Sequence, residues 1–233
     1  MLDNPLRRWI QGLRGKKGQP PVLVKELGER DRRRVLRHLL ALDSNDRLLR
    51  FGSMIPDEQI TAYVGKIDFS RDIVFGVLNN VFQLVGMGHL AFASADGRQS
   101  TTKEQVAEFG VSVSKSARGQ GVGTRLFQRA AIHCRNSDVD TLYMQCLTSN
   151  QTMMHIAKKA GMEIKREYGE ADAYLHLPPP SPGSVMREAL EEQFAVIDYT
   201  VKANARAAVK WFTPRKRSER YCGSGFVDRK SVV

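Results

Sequence analysis

The sequence lacks three features that would each have placed the protein in a broad class. No run of about 18 apolar residues occurs, so nothing predicts a membrane-spanning helix. Only three cysteines are present and none forms a CxxC pair, which argues against a disulfide framework and against a zinc site. The first 21 residues are basic but have neither the apolar segment nor the cleavage site of a secretory signal. We therefore expect a cytoplasmic protein that holds no metal ion.

The formal net charge of +11 is carried mainly by the two ends of the chain. Residues 1–50 hold 13 basic and 6 acidic side chains, residues 184–233 hold 10 and 6, and the middle is balanced. Basic ends are typical of solvated tails, although they can also be arms that touch phosphate or an acidic partner. No zinc-finger, RNP or aromatic-interleaved basic pattern accompanies them, so we do not expect a nucleic-acid partner.

Apolar periodicity and turn residues predict one α+β domain over residues 22–177. A strand and three short helices come first, followed by three runs rich in Val, Phe and Leu that predict antiparallel strands. A helix, a strand, a second helix ended by Gly161 and a final hairpin complete the domain. The predicted elements are strands 22–27, 72–80, 82–94, 104–114 and 141–148, helices 29–42, 43–51, 56–66, 122–136 and 151–160, and a hairpin over 162–177. The three consecutive strands are expected to pair as antiparallel neighbours.

Three further segments lie outside this domain. Residues 1–21 are predicted to be a basic flexible leader, and the Pro-rich stretch 178–183 a linker. Residues 184–212 carry apolar side chains every three or four positions, which predicts one long amphipathic helix. That helix either packs across the domain or forms a homodimer. Residues 213–233 show no periodicity and are predicted to be a basic disordered tail.

The stretch "VSVSKSARGQGVGTRL" places glycines at 119, 121 and 123 between a predicted strand and a predicted helix. The first amides of a helix have no intrahelical partner, and the helix dipole adds positive charge there, so such a turn is suited to an anion. Glycines also let the backbone approach a phosphate without a Cβ in between. The spacing fits neither a P-loop nor a dinucleotide-binding fingerprint. The alternative is a plain strand-to-helix turn that happens to be rich in glycine.

The pattern Arg118-x-x-Gly121-x-Gly123 resembles the coenzyme A diphosphate loop of the GNAT (GCN5-related) N-acetyltransferase superfamily. "AEFGVSV", "LYMQCLTSN" and "AGMEI" resemble the family's fourth strand, its fifth strand and the end of the next helix. The resemblance implies the α+β GNAT fold, a mixed, mostly antiparallel central sheet flanked by helices, with acetyl-CoA as cofactor. It also implies that the backbone amides of Gly119 to Thr124 hold the diphosphate, that strands four and five splay apart, and that pantetheine lies along Val111 to Val113. It implies that Asn150 lies beside the pantetheine, although this Asn could also simply cap a helix. The residues that the resemblance assigns to the cofactor are Val111, Val113, Arg118, Gly119, Gln120, Gly121, Val122, Gly123, Thr124 and Asn150.

Acyl transfer to an amine requires a proton acceptor, because an amine with a pKa near ~10.4 is almost fully protonated at neutral pH. Glu108 stands on the strand before the loop, where several GNAT enzymes carry a carboxylate that acts through a water molecule, and we expect it to be the catalytic base. The alternative is a structural carboxylate. Glu104 is a second candidate that we expect to be exposed. The position seven residues after Asn150, where family members often carry a Tyr as general acid, is Ala157. Either water or one of four residues would then act as the acid, namely His155, Tyr143, Tyr168 or Cys146.

The leading hypothesis is an acetyl-CoA-dependent N-acyltransferase that moves an acetyl group to a primary amine by direct attack, without a covalent enzyme intermediate. "LALDSNDRLLRFG" and the Asn-x-x-Met-x-x-x-Ala arrangement are loosely similar to the GNAT domains of bacterial protein-lysine acetyltransferases. The acceptor is then either a protein lysine or a small amine. A second hypothesis is a non-catalytic acyl-CoA-binding regulator of the same fold. The absence of a Tyr at position 157 would support this hypothesis.

Overall fold

A computed structural model of the chain describes residues 22–92 and 105–212. The predicted leader, the predicted tail and Glu104 lie outside these ranges. The strands are β1 (Lys25–Leu27), β2 (Ile73–Leu78), β3 (Leu84–Phe92), β4 (Val106–Val113), β5 (Thr141–Leu147), β6 (Glu163–Glu167) and β7 (Glu170–His176). The α-helices are α1 (Arg32–Leu40), α2 (Ser44–Phe51), α3 (Asp57–Lys66), α4 (Val122–Asn136), α5 (Gln151–Ala160) and α6 (Pro182–Phe212). Two short 3-10 turns precede α1 and follow β4.

The seven strands form one sheet in the order β1-β2-β3-β4-β5-β7-β6. Every neighbouring pair is antiparallel except β4 and β5, which are parallel. That parallel pairing covers three positions and ends where Glu108 faces Tyr143, although β4 runs on to Val113. The predicted fold class is confirmed, and the two central strands diverge as expected. The divergence opens a gap in the middle of the sheet.

Helices cover both faces of the sheet because side chains alternate along its strands. On one face, Phe109 of β4 meets Phe127 of α4 edge-to-face, with ring centroids 5.5 Å apart, in a core that also includes α5. On the other face, α1 and α3 pack apolar side chains against Val74 and Met87. Helix α2 contacts both β4 and β5, so the gap between these strands is bounded by α4 and α5 on one side and by α2 on the other.

Most predicted elements occur, with some ends displaced. Strand β3 begins at Leu84 instead of residue 82, because Asn79 organises the turn before it. The Asn79 Oδ1 atom accepts hydrogen bonds from the backbone amides of Val81 (3.0 Å) and Gln83 (2.9 Å), and Phe82 adopts a φ of 60°. An Asx-type turn of this kind competes with extended pairing.

The long helix α6 begins at Pro182, two residues before the predicted start, since proline is suited to the first turn of a helix. Its inner face packs on α4 through the buried side chain of Arg129, which pairs with Glu188 (2.6 Å) and Glu192 (2.8 Å). Burial alone would raise the pKa of Glu188, but hydrogen bonds from His133, from Asn136 and from Arg129 lower it to about 2. This ionic cluster fixes the first half of α6 to the domain.

Among the described residues, no helix combines the length and the apolar character needed to cross a membrane.

Candidate active site

A cavity of about 550 Å³ lies where β4 leaves β5. Its walls come from four parts of the chain: the middle of α2, the end of β4 with the glycine-rich turn, the first turn of α4, and the start of α5. The sequence-predicted residues that line it are Val111, Val113, Arg118, Gly119, Gly121, Val122, Gly123, Thr124 and Asn150. The fold thus brings together residues that the sequence separates by up to 39 positions.

The glycine-rich turn has the backbone of an anion site. Gly119 and Gly121 adopt φ angles of 73° and 78°, in the left-handed region that side chains disfavour, and no atom lies within 4 Å of where either Cβ would stand. The first intrahelical amide bond of α4 runs from Arg125 N to Gly121 O (3.0 Å), and no side chain caps the helix. The amides that precede this bond, from Val122 to Thr124, therefore stand at the positive end of the helix dipole beside the cavity.

The side chains of two predicted members of the loop make contacts of their own. The Arg118 guanidinium, expected beside the diphosphate, donates to Asp46 Oδ1 on α2. Asp46 is buried and lines the same cavity, so the pair adds little net charge to it. The Gln120 side chain turns away and donates to the backbone carbonyl of Ser116 (3.0 Å), and it lines a different cavity. Gln120 therefore has only its backbone amide to offer the anion site.

The end of β4 forms an extended apolar edge of the cavity. Val111 and Val113 are half-buried and line it, and beyond Glu108 the backbone on the β5 side of β4 has no strand partner within the described residues. Asn150, which is buried, caps α5 by accepting a hydrogen bond from Met153 N (3.1 Å) and also lines the cavity. The capping role considered from the sequence is thus present.

A second cavity, of about 300 Å³, lies on the α2 side of the same gap. Glu108, which is exposed, lines it together with Glu170 at the start of β7. The two cavities share four lining residues, which are Leu49, Arg50, Val111 and Met153. Glu108 therefore does not line the first cavity but stands where a second substrate could reach the shared wall.

The first cavity has features suited to a molecule with a diphosphate and an amide-bearing arm, and the second cavity leaves room for another substrate. Free amides at a helix start suit a diphosphate, the space above Gly119 and Gly121 leaves room for it, and the unpaired edge of β4 suits the amide groups of pantetheine. Within the described residues, no group of three or more His, Cys, Asp or Glu side chains is placed to hold a metal ion.

Residues 56–162 match the model of the acetyltransferase (GNAT) family. This segment, 107 of the 233 residues, is therefore identified as a GNAT-family segment. The matched segment runs from the start of α3 to the end of α5, and so contains β4, the glycine-rich turn and the first turn of α4. GNAT membership supports acyl-transfer activity in general.

Solved GNAT structures share this fold at low sequence identity. The GNAT domain of PAT from S. lividans is 18% identical, with a TM-score of 0.55 over 66% of this chain and 89% of that one. Ribosomal-protein-alanine N-acetyltransferase from Brucella melitensis is 15% identical, with a TM-score of 0.51 over 67% of this chain and 100% of its own. The yncA protein from Salmonella typhimurium, solved with its cofactor acetyl-CoA, is 12% identical, with a TM-score of 0.51 over 70% of this chain and 97% of its own. A comparison with curated proteins finds no match.

The GNAT position that often carries a tyrosine points into the core of this domain. Ala157 is fully buried among the core residues and lines neither of the two cavities. A larger side chain at this position would have to displace the packing between α5 and the sheet.

The four substitute acids considered from the sequence occupy different environments. Tyr143 donates to Asp172 Oδ1 (2.7 Å), and burial together with that carboxylate raises its pKa. Burial likewise raises the pKa of the Cys146 thiol, which contacts Met154 Sδ at 3.8 Å. Exposed His155 lines the first cavity, whereas Tyr168 is 98% exposed in a turn.

Sequence reasoning missed a polar cluster that reaches the second cavity. Arg50 and Tyr63 line this cavity, and the Arg50 guanidinium covers Gly110 so closely that a Cβ at this position would clash with it. Arg50 Nη2 donates to the Tyr63 hydroxyl (2.9 Å), which lies 2.7 Å from Nδ1 of buried His89. One signal was present: Tyr63 stands three residues after buried Ile60, which places the two residues on the same face of α3.

Proposed function

We propose that the protein is an N-acyltransferase that moves an acetyl group from acetyl-CoA to a primary amine. The observation that carries this proposal is that two cavities meet at the gap between β4 and β5, one at an uncapped helix start and one beside carboxylates. Bound acetyl-CoA supplies a thioester, whose acyl carbon is open to attack by an amine. We assign the diphosphate to the amides from Gly119 to Thr124 with Arg118, and the pantetheine to Val111, Val113 and Asn150.

The second cavity suits a cationic acceptor. Glu108 and Glu170 line it against the single positive charge of Arg50. We propose that Glu108 takes the proton from the incoming ammonium group, directly or through water, because its exposed carboxylate can pass that proton to solvent. We propose direct attack by the amine, without an acyl-enzyme intermediate. Cys146 lines this cavity, but burial raises the pKa of its thiol and so lowers the fraction of reactive thiolate. A protein lysine and a small amine both fit this description.

The first test is release of free thiol from acetyl-CoA in the presence of a panel of small amines and lysine peptides. Release that depends on one acceptor class identifies the acceptor, and no release with any acceptor contradicts the transferase proposal. Arg118→Glu is the binding control, because it places two unpaired carboxylates beside the diphosphate and should raise the KM for acetyl-CoA.

Glu108→Gln separates the transferase from a non-catalytic acyl-CoA binder. A transferase with this base loses most of its activity, while calorimetry still detects acetyl-CoA binding. A protein that binds acetyl-CoA in both forms and transfers acetyl in neither would instead be a regulator that responds to the cofactor.

We also propose that α6 forms a homodimer. The face opposite its Arg129 contacts exposes large apolar side chains in one stripe: Met186, Leu190, Phe194, Ile197 and Val201, each between 49% and 63% exposed. Such a continuous stripe is unusual on a monomer. Phe194→Glu should convert a dimer to a monomer in sedimentation equilibrium, with Thr200→Glu on another face as the control.

We place the protein in the cytoplasm. The cysteines in the described part of the chain, Cys134 and Cys146, are free thiols, as expected in a reducing compartment. Cell fractionation tests this placement.

A further inference from the structure

Four polar side chains from four parts of the chain form a row that ends in the second cavity. Arg50 of α2 and Tyr63 of α3 line the cavity, His89 of β3 lies behind Tyr63, and Asp72 stands directly before β2. The distances are 2.9 Å from Arg50 Nη2 to Tyr63 Oη, 2.7 Å from Tyr63 Oη to His89 Nδ1, and 3.3 Å from His89 Nε2 to Asp72 Oδ2. A buried histidine between a carboxylate and a hydroxyl is the arrangement that activates a hydroxyl for proton transfer.

The charges around His89 determine which of its nitrogens carries the proton. Burial lowers the pKa of His89, and the Arg50 charge lowers it further, against the opposing effect of Asp72. His89 is therefore neutral at neutral pH, and its two strand neighbours, Val74 and Gly110, carry no charge. With the proton on Nε2, which lies 3.3 Å from Asp72 Oδ2 in an electrostatic contact that lacks hydrogen-bond geometry, Nδ1 is free to accept the Tyr63 hydroxyl proton. The Tyr63 oxygen, which already accepts from Arg50, then has capacity for one more proton from the cavity side.

An amine that enters as an ammonium ion must lose two protons to become an amide. The first leaves before attack, and the second leaves as the C–N bond forms and the C–S bond breaks. The first proton can pass to solvent through exposed Glu108, whereas the second has to end on the departing sulfur if no external acid supplies one. A group beside the shared wall of the two cavities that accepts this proton and returns it to the sulfur would couple the two transfers, and Ala157 cannot be that group.

We propose that Tyr63 is a catalytic residue that carries this second proton, with His89 and Asp72 as positioning residues behind it. Tyr63 Oη accepts the proton from the amine nitrogen while its own proton passes to His89 Nδ1. As the C–S bond breaks, His89 returns that proton to Tyr63, and Tyr63 delivers one to the thiolate sulfur. Atoms and charges balance, because the enzyme ends in its starting state. The inference rests on the proposed function and deepens it.

Tyr63→Phe removes the hydroxyl alone, and Tyr199→Phe is the matched control. The Tyr199 hydroxyl also pairs with an arginine, Arg34, but it lies on α6 away from both cavities. We expect Tyr63→Phe to lower kcat by about 100-fold with little change in the KM for the acceptor or the affinity for acetyl-CoA. The rate–pH profile should also move to higher pH, because solvent must then take the second proton. Tyr199→Phe should leave these quantities unchanged.

His89→Gln tests the positioning role. We expect its kcat to fall nearly as far as that of Tyr63→Phe, and the double variant to be no slower than Tyr63→Phe. Long-range ¹H–¹⁵N spectra of the ligand-free protein give a readout independent of activity: His89 should be neutral and protonated on Nε2, and its Nδ1 resonance should shift in Tyr63→Phe.

Each failure has its own signature. If the unaltered protein neither binds acetyl-CoA nor releases thiol, the proposed function fails. If it transfers acetyl and Tyr63→Phe keeps its rate within twofold, the role of Tyr63 fails alone. A protonated Nδ1 in the ligand-free protein would also overturn the proton path.

Discussion

Gly121→Ala tests whether the left-handed turn before α4 produces the anion site. Gly121 has φ 78° and ψ 8°, and an added methyl group would meet no atom within 4 Å. The substitution therefore costs backbone strain and no clash, about 1 kcal/mol for a residue with a Cβ in this region. If the turn keeps its shape, the whole cost appears as lost stability, which lowers Tm by about 2–4 °C in a domain of this size. If the turn relaxes, stability is kept, and binding must restore the strained shape at a loss of about fivefold in affinity.

The two costs must add to about 1 kcal/mol, because the strain is present in the bound state in either case. Thermal melts followed by circular dichroism and calorimetric titration with acetyl-CoA measure the two parts separately. Gly65→Ala is the control: Gly65 lies near the end of α3 with open space around it, so alanine there should stabilise the protein by about 0.5–1 kcal/mol. A Gly121→Ala variant with unchanged Tm and unchanged affinity would refute the requirement for a left-handed residue at 121.

Three further predictions concern charge and space. Gly110→Ala should lower kcat at least tenfold with a small change in Tm, because the methyl group displaces the flexible Arg50 side chain from its hydrogen bond to the Tyr63 hydroxyl. Steady-state kinetics measure kcat, and thermal melts measure Tm. Asp46→Asn should tighten acetyl-CoA binding about threefold in calorimetry by freeing its Arg118 partner. The pKa of Glu188 is about 2 in the folded protein against 4.5 in the unfolded chain, so its ionised carboxylate contributes up to about 3 kcal/mol to the free energy of unfolding. This contribution is complete above pH 4.5 and is lost as the pH falls towards 2. Glu188→Gln should abolish this pH dependence of Tm.

Local signals in the sequence predicted most of the fold. The helix from Val122 to Asn136 and the helix from Gln151 to Ala160 match the prediction to the residue, because one follows a glycine turn and the other is closed by Asn150 and Gly161. Strand ends were less predictable. β1 is three residues long instead of six, since its length depends on pairing with β2 and not on its own apolar pattern.

The two halves of the site differed in how far the sequence could predict them. The glycine-rich turn is built from consecutive residues whose spacing reports backbone conformation directly, so its place before α4 could be predicted from the sequence. The partner of Arg118 is 72 positions away on α2, and the row from Arg50 to Asp72 and His89 joins elements that meet only when β3 and α3 pack. No local sequence pattern predicts contacts between residues so far apart in the chain. They depend on tertiary packing.

Arg50 connects these observations. It belongs to both cavity walls, it covers Gly110 where β4 leaves β5, and it bonds the Tyr63 hydroxyl. A fixed cation at this position would attract a carbonyl oxygen that gains negative charge during acyl transfer. Burial lowers the pKa of His89, and the same cation lowers it further. Both effects favour acyl transfer: the neutral imidazole of His89 can accept a proton, and the guanidinium of Arg50 can stabilise the negative charge on the carbonyl oxygen. Arg50→Lys would keep the charge but not the planar fork, so it separates the electrostatic contribution from the hydrogen bond to Tyr63.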